Sequence, residues 1–443
     1  LFWERGGENT FDVKTENASL YTPYNSASGS FQMVLDRNAE SASFLFESDA
    51  TNAYLSDEEY GTKGATLTKQ DGYFAVPIQA EDVTQSGTSG KTYYILVENG
   101  TGTATELKVT VYQRNNNQTT PDTVEEYLCL ASQYTNTMAY GAMPERTLIG
   151  SAQSGTGALV SLGNFGGYVV YRFDDLIYND PKNPYGIDFV VRGNSLGGGG
   201  FSEPANVLVS QDGKTWYTLA GSDHYSNNAV WNYTMTYTDN NGKADWTDNT
   251  GKSGTSYKYP AKSNYPLFQW TEALEKSMTV SGTLLVAEGT DPYGSLSAAY
   301  PNWGYVDTGY EGLNPYIGGQ AGEVFDLSWA VDEDGQPVKL DSVKYVKVQT
   351  ASNVDAGGIG EKSTEVSAIY KADAAPSKVG VTVAPTGITI NGQKLELKEG
   401  VNVYSVTAQE AVDVAVEAPE GTNVYINSTY GKTAHFDSLT HRM

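Results

Sequence analysis

Residues 174–195, DDLIYNDPKNPYGIDFVVRGNS, set Asp174, Asp175, Asp180 and Asp188 around Asn179 and Asn183. Carboxylate and amide oxygens at this density are the hard ligands that Ca2+ takes six to eight at a time. The spacing departs from the EF-hand pattern, and Asp, Asn and Pro in this mixture also build turns between strands. Two readings therefore stand together: a structural Ca2+ site on the four aspartates, or turn chemistry alone. The segments DNNGKAD (239–245) and DEDG (332–335) pose the same choice more weakly.

A second constellation is aromatic. Trp216, Trp231, Trp246, Trp270 and Trp303 are five of the seven tryptophans, and many tyrosines lie among them. Much of this region, such as HYSNNAVWNYTMTYTDNNGKADWTD and AAYPNWGYVDTGYEGLNPY, is too rich in Gly, Asn and Asp to suggest strands. Aromatic rings on loops above a rigid scaffold suit stacking on sugar faces or flat macrocycles. The expected contact surface is Trp231, Tyr233, Trp246, Trp303, Tyr305 and Tyr310; the competing reading is that long loops simply need apolar anchors. His224 is the histidine nearest these loops, and so the one available to face a tetrapyrrole.

Other chemistry has little material. There are 3 histidines and 1 cysteine, with no H-E-x-x-H or C-x-x-C spacing, which leaves zinc and Ser-His-Asp catalysis without parts. Cys129, within YLCLA, reads as a core residue. Glycosidase chemistry, the most plausible enzymatic alternative, needs two carboxylates at a set separation, and no pair among the 53 acids stands out. No catalytic residue is assigned. A formal charge of −25 repels phosphate backbones and anionic lipid, so no nucleic acid partner is expected. No apolar run reaches the ~20 residues of a membrane span.

The elements that must carry these groups are strands. The 47 glycines and 32 tyrosines, with abundant Ser, Thr and Asn, indicate an all-β, multi-domain chain: β-sandwich modules around a larger jelly-roll-like central domain. In residues 1–114, an N-terminal β-sandwich, ASFLFES puts Phe44 and Phe46 on one face. TYYILVENG does so for Tyr93, Ile95 and Val97, and ELKVTVYQ for Leu107, Val109 and Val111. Residues 115–126 read as a linker, although Asp122 and Glu125 before YLCLASQY give a weak capping signal for a short helix. Residues 127–371 form the central domain, with strands in GGYVVYRF, IDFVV and SVKYVKVQT and tight turns at Asp212-Gly213 and Asp334-Gly335. Residues 372–378 are a second linker. Residues 379–443, with a hairpin at Asn391-Gly392, read as a truncated Ig- or cadherin-like module, too short to close a sandwich unaided. The chain opens LFWERGG, without Met, and is expected to be a piece of something longer.

SLGNFGGYVVYRFDDLIYNDPKNPYGIDFVVRGNS, SEPANVLVSQDGKTWYTLAGS, FDLSWAVDEDGQPVKLDSVKYVKVQTAS and APEGTNVYINSTYG resemble the large modular surface proteins of gut Firmicutes. Members of that group are held by cell-wall or S-layer homology repeats and carry Ig-like modules. The resemblance covers residues 125–436 and implies an extracellular location on a bacterial cell surface. The expected role is non-catalytic adhesion to a glycan, host-surface or cell-wall component. The alternatives are capture of a small tetrapyrrole-type ligand, corrinoid or haem, and a structural stalk or lattice component. Ca2+ is the one cofactor expected, as a staple.

Overall fold

The computed structural model describes residues 12–21, 29–84, 90–98, 104–130, 144–149, 159–183, 186–194, 202–221, 223–224, 228–240, 243–255, 277–286, 304–308, 322–353, 363–372, 383–398, 413–420 and 422. The fold is all-β, with helix among these residues confined to short turns such as Ala80–Thr84 and Leu327–Trp329. The chain divides into two compact units, Leu1–Asn117 with Tyr134–Val160, and Gln118–Gln133 with Ser161–Met443. Residues 134–160, expected in the central domain, are thus grouped with the first unit, and the expected third module with the second.

The first unit pairs a four-stranded sheet with a five-stranded one. The four-stranded order is Val13–Glu16, Ser41–Glu47, Tyr73–Gln79, Thr68–Gln70, and the five-stranded order is Ala18–Tyr21, Ser30–Leu35, Ala104–Tyr112, Lys91–Glu98, Ala53–Ser56. Phe44, Phe46 and Phe74 from one sheet and Phe31, Met33, Ile95, Leu107 and Val109 from the other share a single core. The alternation in the sequence decides which side chains enter it, since successive residues of a strand point to opposite faces.

The second unit is organised around a six-stranded antiparallel sheet, in the order Thr123–Leu128, Tyr168–Tyr178, Ser342–Thr350, Ala205–Ser210, Tyr217–Leu219, Ala330–Val331. Val169, Tyr171, Phe173, Val207, Val209, Val346 and Val348 bury one face of it. Cys129 is buried beside the first strand, as its apolar flanks suggest. A three-stranded sheet joins Glu323–Phe325, Phe189–Arg192 and Ala368–Lys371, with Phe189 stacked on Phe325 at 5.2 Å. A four-stranded sheet runs Ser253–Thr255, Lys243–Asp248, Ala229–Asn240, Ser277–Leu285. Near the C-terminus, Gly387–Ile390, Gln393–Lys394 and Val414–Glu417 form a small sheet.

Two expectations need correcting. The capping signal at Asp122 and Glu125 heads no helix: Thr123–Leu128 is a strand, bulged between Val124 and Glu126, on the edge of the six-stranded sheet. Thr, Val and Tyr favour a pleated edge, and the pairing with Tyr168–Tyr178 overrides the cap. Ala229–Asn240 and Lys243–Asp248 are also strands, despite their Asn and Asp. Tyr233, Met235 and Tyr237 alternate with Thr234, Thr236 and Thr238, a period of two that composition conceals.

Candidate functional site

The expected contact aromatics are largely core. Tyr233, Tyr237 and Trp246 pack with Phe165, Met235 and Val280, and Tyr233 meets the Phe165 ring edge-on at 4.9 Å. Trp246 lies under Gly254, where an added Cβ would come within 2.6 Å of the indole, so the glycine lets the edge strand close over the ring. Tyr305 is fully buried, stacked on His224 at 5.4 Å, and its hydroxyl meets His224 Nδ1 at 2.8 Å and accepts from the Asp223 N–H at 3.0 Å. Trp231 is half-buried and donates from Nε1 to the His224 carbonyl at 3.0 Å. Trp303 and Tyr310 lie outside the described residues. The described members of the set therefore anchor loops and sheets, with no open stacking face on Tyr233, Trp246 or Tyr305. His224 is a core group too: its Nδ1 accepts from the Gly221 N–H at 3.1 Å, which places the ring proton on Nε2.

The four aspartates do not converge either. Asp174 is exposed and paired with Arg172 at 2.8 Å and with Lys344 at 3.7 Å. Asp175 pairs with Lys371. Asp180 caps its own turn, accepting from the Lys182 N–H at 2.9 Å. Asp188 is buried: Oδ1 accepts from Asn183 Nδ2 at 2.8 Å and the Asp180 N–H at 3.3 Å, and Oδ2 from the Leu327 N–H at 2.8 Å. The stretch is a turn clamped to the Leu327–Trp329 segment by one carboxyl. Of the weaker candidates, DEDG is a turn in which Asp332 accepts from the Asp334 and Gln336 N–H groups, and Asp245 lies on a strand and accepts from Asn240 and Thr255.

Burial, and then the nearby charge of Asp326, push Asp188 up from 3.8 to about 8, while burial pulls His224 down from 6.5 to about 3. The Asp188 contribution to stability is fully present below the unfolded value and is lost as pH rises through 8. The His224 contribution is present above 6.5 and is lost as pH falls through 3. Of these two groups, only Asp188 changes its balance between pH 6.5 and 8. The melting temperature is expected to fall across that interval, with Asp188 supplying a slope of up to about 1.4 kcal/mol per pH unit. A thermal scan at half-unit steps checks this, and a flat or rising curve contradicts it.

Three buried carboxylates that sequence spacing does not connect do come together. Oxygens of Glu203, Asp307 and Glu365 lie within 4.8 Å of one another. Asp307 accepts from the Asn194 N–H at 2.9 Å and the Glu365 N–H at 3.0 Å, Glu203 from the Ser363 N–H at 3.1 Å, and Glu365 from the Ser363 hydroxyl at 3.0 Å. Burial raises Glu365 to about 7. Such a group holds either a shared proton or a cation, and its backbone donors make it a tie between four segments of the unit.

The second assembly lies on the six-stranded sheet's other face, where the register places Tyr168, Val170 and Arg172 beside Gln349, Lys347 and Tyr345, and these beside Asn206, Leu208 and Ser210. One end is covered by Ser277–Leu285, to which Asn206 donates at 2.7 Å and Gln349 at 3.2 Å. Beyond it, Tyr168, Leu208, Trp216, Tyr345 and Lys347 are all partly exposed. The Lys347 ammonium sits 3.9 Å from the Tyr168 ring centre and 5.5 Å from that of Trp216. The Tyr168 hydroxyl donates to Glu126 at 3.0 Å, and burial followed by that charge pushes it up to about 12. Trp216 follows a rigid turn. The Ser210 hydroxyl accepts from the Asp212 and Gly213 N–H groups, and Asp212 from the Lys214 and Thr215 N–H groups. Gly213, at φ 75°, closes the turn against the Tyr345 ring. Sequence reasoning missed Tyr168 and Lys347 because each is a single outward position in an apolar strand.

No protein-family model matches the chain, and no curated protein matches it significantly. Among the described residues no helix is long and apolar enough to cross a membrane.

Proposed function

We propose that the chain is part of an extracellular, non-catalytic bacterial surface protein that binds glycans on the outer face of the six-stranded sheet. The supporting observation is the cation held between two rings, Lys347 between Tyr168 and Trp216, on the half of that face that no other sheet covers among the described residues. Flat aromatic surfaces take the apolar faces of sugar rings, and an ammonium between them donates to sugar oxygens. Strands hold all but Trp216, and the hydrogen-bonded turn holds that, so little ordering is lost on binding. A non-catalytic role accords with the acid cluster, where Asp307 and Glu203 accept backbone N–H groups and Glu365 accepts the Ser363 hydroxyl. A glycan array probed with the purified chain tests the reading: signal on a defined set of glycans is expected, and a silent array removes it.

One observation favours a second reading, a structural stalk or lattice component. The burial of Tyr233, Trp246 and Tyr305 is what such a component requires of its aromatic-rich segments. A silent array together with ordered self-assembly of the chain selects it.

A further inference from the structure

Three other cations on or beside the six-stranded sheet are neutralised within the protein. Arg172 meets Glu125 and Asp174, Lys344 meets Asp174, and Lys371 meets Asp175. Lys347 is different. Among the described residues no carboxylate lies within ion-pair distance of its ammonium, and no protein acceptor takes its protons. The nearby carboxylate, Glu126, is engaged by the Tyr168 hydroxyl at 3.0 Å. Burial lowers the Lys347 pKa and the Glu126 charge offsets only part of that, as expected of a cation drawn partly out of water without a partner in contact.

A partly desolvated cation with free N–H donors gains most from an anion brought by a ligand, because the cost of removing the lysine from water has already been met on folding. The rings on either side set the shape of that ligand. Tyr168 and Trp216 offer flat apolar faces flanking the ammonium, so an occupant needs an apolar face and a negative group on the same small unit. A sugar bearing a carboxylate has both. The formal charge of −25 opposes a polyanion, but at physiological salt a field of this kind is screened beyond ~8 Å. A single acidic sugar at the end of an otherwise neutral chain meets Lys347 at contact and little of that repulsion.

We propose that the ligand of this face is a glycan ending in a carboxylate-bearing sugar, with the sugar stacked on Trp216 and its carboxylate paired with Lys347. This rests on the reading of the face as a glycan site.

The test is an array carrying neutral glycans beside their sialylated and uronic-acid-terminated counterparts, probed with the wild-type chain, Lys347→Met and Trp216→Ala. Methionine keeps the apolar stem between the rings and removes only the charge. The acidic glycans are expected to bind about tenfold more tightly than their neutral counterparts, a preference that salt weakens. Lys347→Met is expected to abolish that preference, weakening the acidic glycans about tenfold more than it weakens their neutral counterparts. Equal binding of neutral and acidic glycans by the wild type, with Trp216→Ala still abolishing both, overturns the acidic-sugar assignment and leaves the glycan site standing. No binding of any glycan overturns both.

Discussion

Asp188→Ala is expected to destabilise the second unit by about 4 kcal/mol, while Asp188→Asn costs about half as much at neutral pH. The alanine variant leaves the Leu327 N–H, the Asp180 N–H and the Asn183 amide without their shared acceptor, in a site where Asp188 is 1% exposed and Asn183 3%. Each orphaned buried donor costs about 1–3 kcal/mol. Asparagine fares better because a carboxyl raised to about 8 is mostly protonated at pH 7, so a neutral carboxamide loses no charge and keeps one acceptor oxygen, although its NH2 leaves a buried donor on the other side unmet. Chemical denaturation of both variants beside the wild type checks the order. If asparagine costs as much as alanine, the buried group is an ionised carboxylate and the pH dependence above fails with it.

Asp307→Ala is the second large effect, expected near 3 kcal/mol, with Asp307→Asn near 1 kcal/mol. Asp307 is fully buried at φ 65°, a left-handed conformation that Asp and Asn tolerate and alanine resists at about 1 kcal/mol. Its carboxylate accepts two backbone N–H groups, from Asn194 and Glu365, both lost in alanine. Opposing this, removing one of three crowded carboxylates relieves repulsion with Glu203 and Glu365. The hydrogen bonds and the backbone together outweigh that relief. Asparagine keeps the backbone preference and one acceptor, and its amide can donate to the neighbouring acids. Denaturation midpoints with an unchanged slope report the difference. An alanine variant as stable as the wild type means that repulsion dominates the cluster.

Much of the scaffold was legible because period two survives any choice of polar residue on the outer face. Phe44 and Phe46, Tyr93, Ile95 and Val97, and Leu107, Val109 and Val111 are all buried as the alternation requires. The Asp212-Gly213, Asp334-Gly335 and Asn391-Gly392 turns form where only such residues accept positive φ cheaply, with Asn391 at 48° and Gly392 at 78°.

The site was less legible, for three physical reasons. Composition suggests loop where alternation sets strands, so Tyr233 and Trp246 read as free to stack on a ligand although their strands turn them inward. The four aspartates are close in sequence, but a strand sends Asp174 and Asp175 to solvent while the following turn folds Asp188 inward. The groups that do assemble are distant in sequence: Glu203, Asp307 and Glu365 meet through loop ends, and Tyr168, Trp216 and Lys347 meet only because the pairing order interleaves early and late strands. A residue-by-residue scan carries no signal for such pairing order. Trp216 is one of the clustered tryptophans but is not among the residues expected to meet a ligand.

The central claim is that the rings flanking Lys347 receive a sugar. Its most direct measurement is the affinity of wild type and Trp216→Ala, both confirmed folded by thermal melting, for the tightest glycan found on the array. Losing a central tryptophan anchor costs about 2 kcal/mol or more, so the variant is expected to bind roughly 30-fold more weakly. Equal affinities for the two proteins would contradict the account.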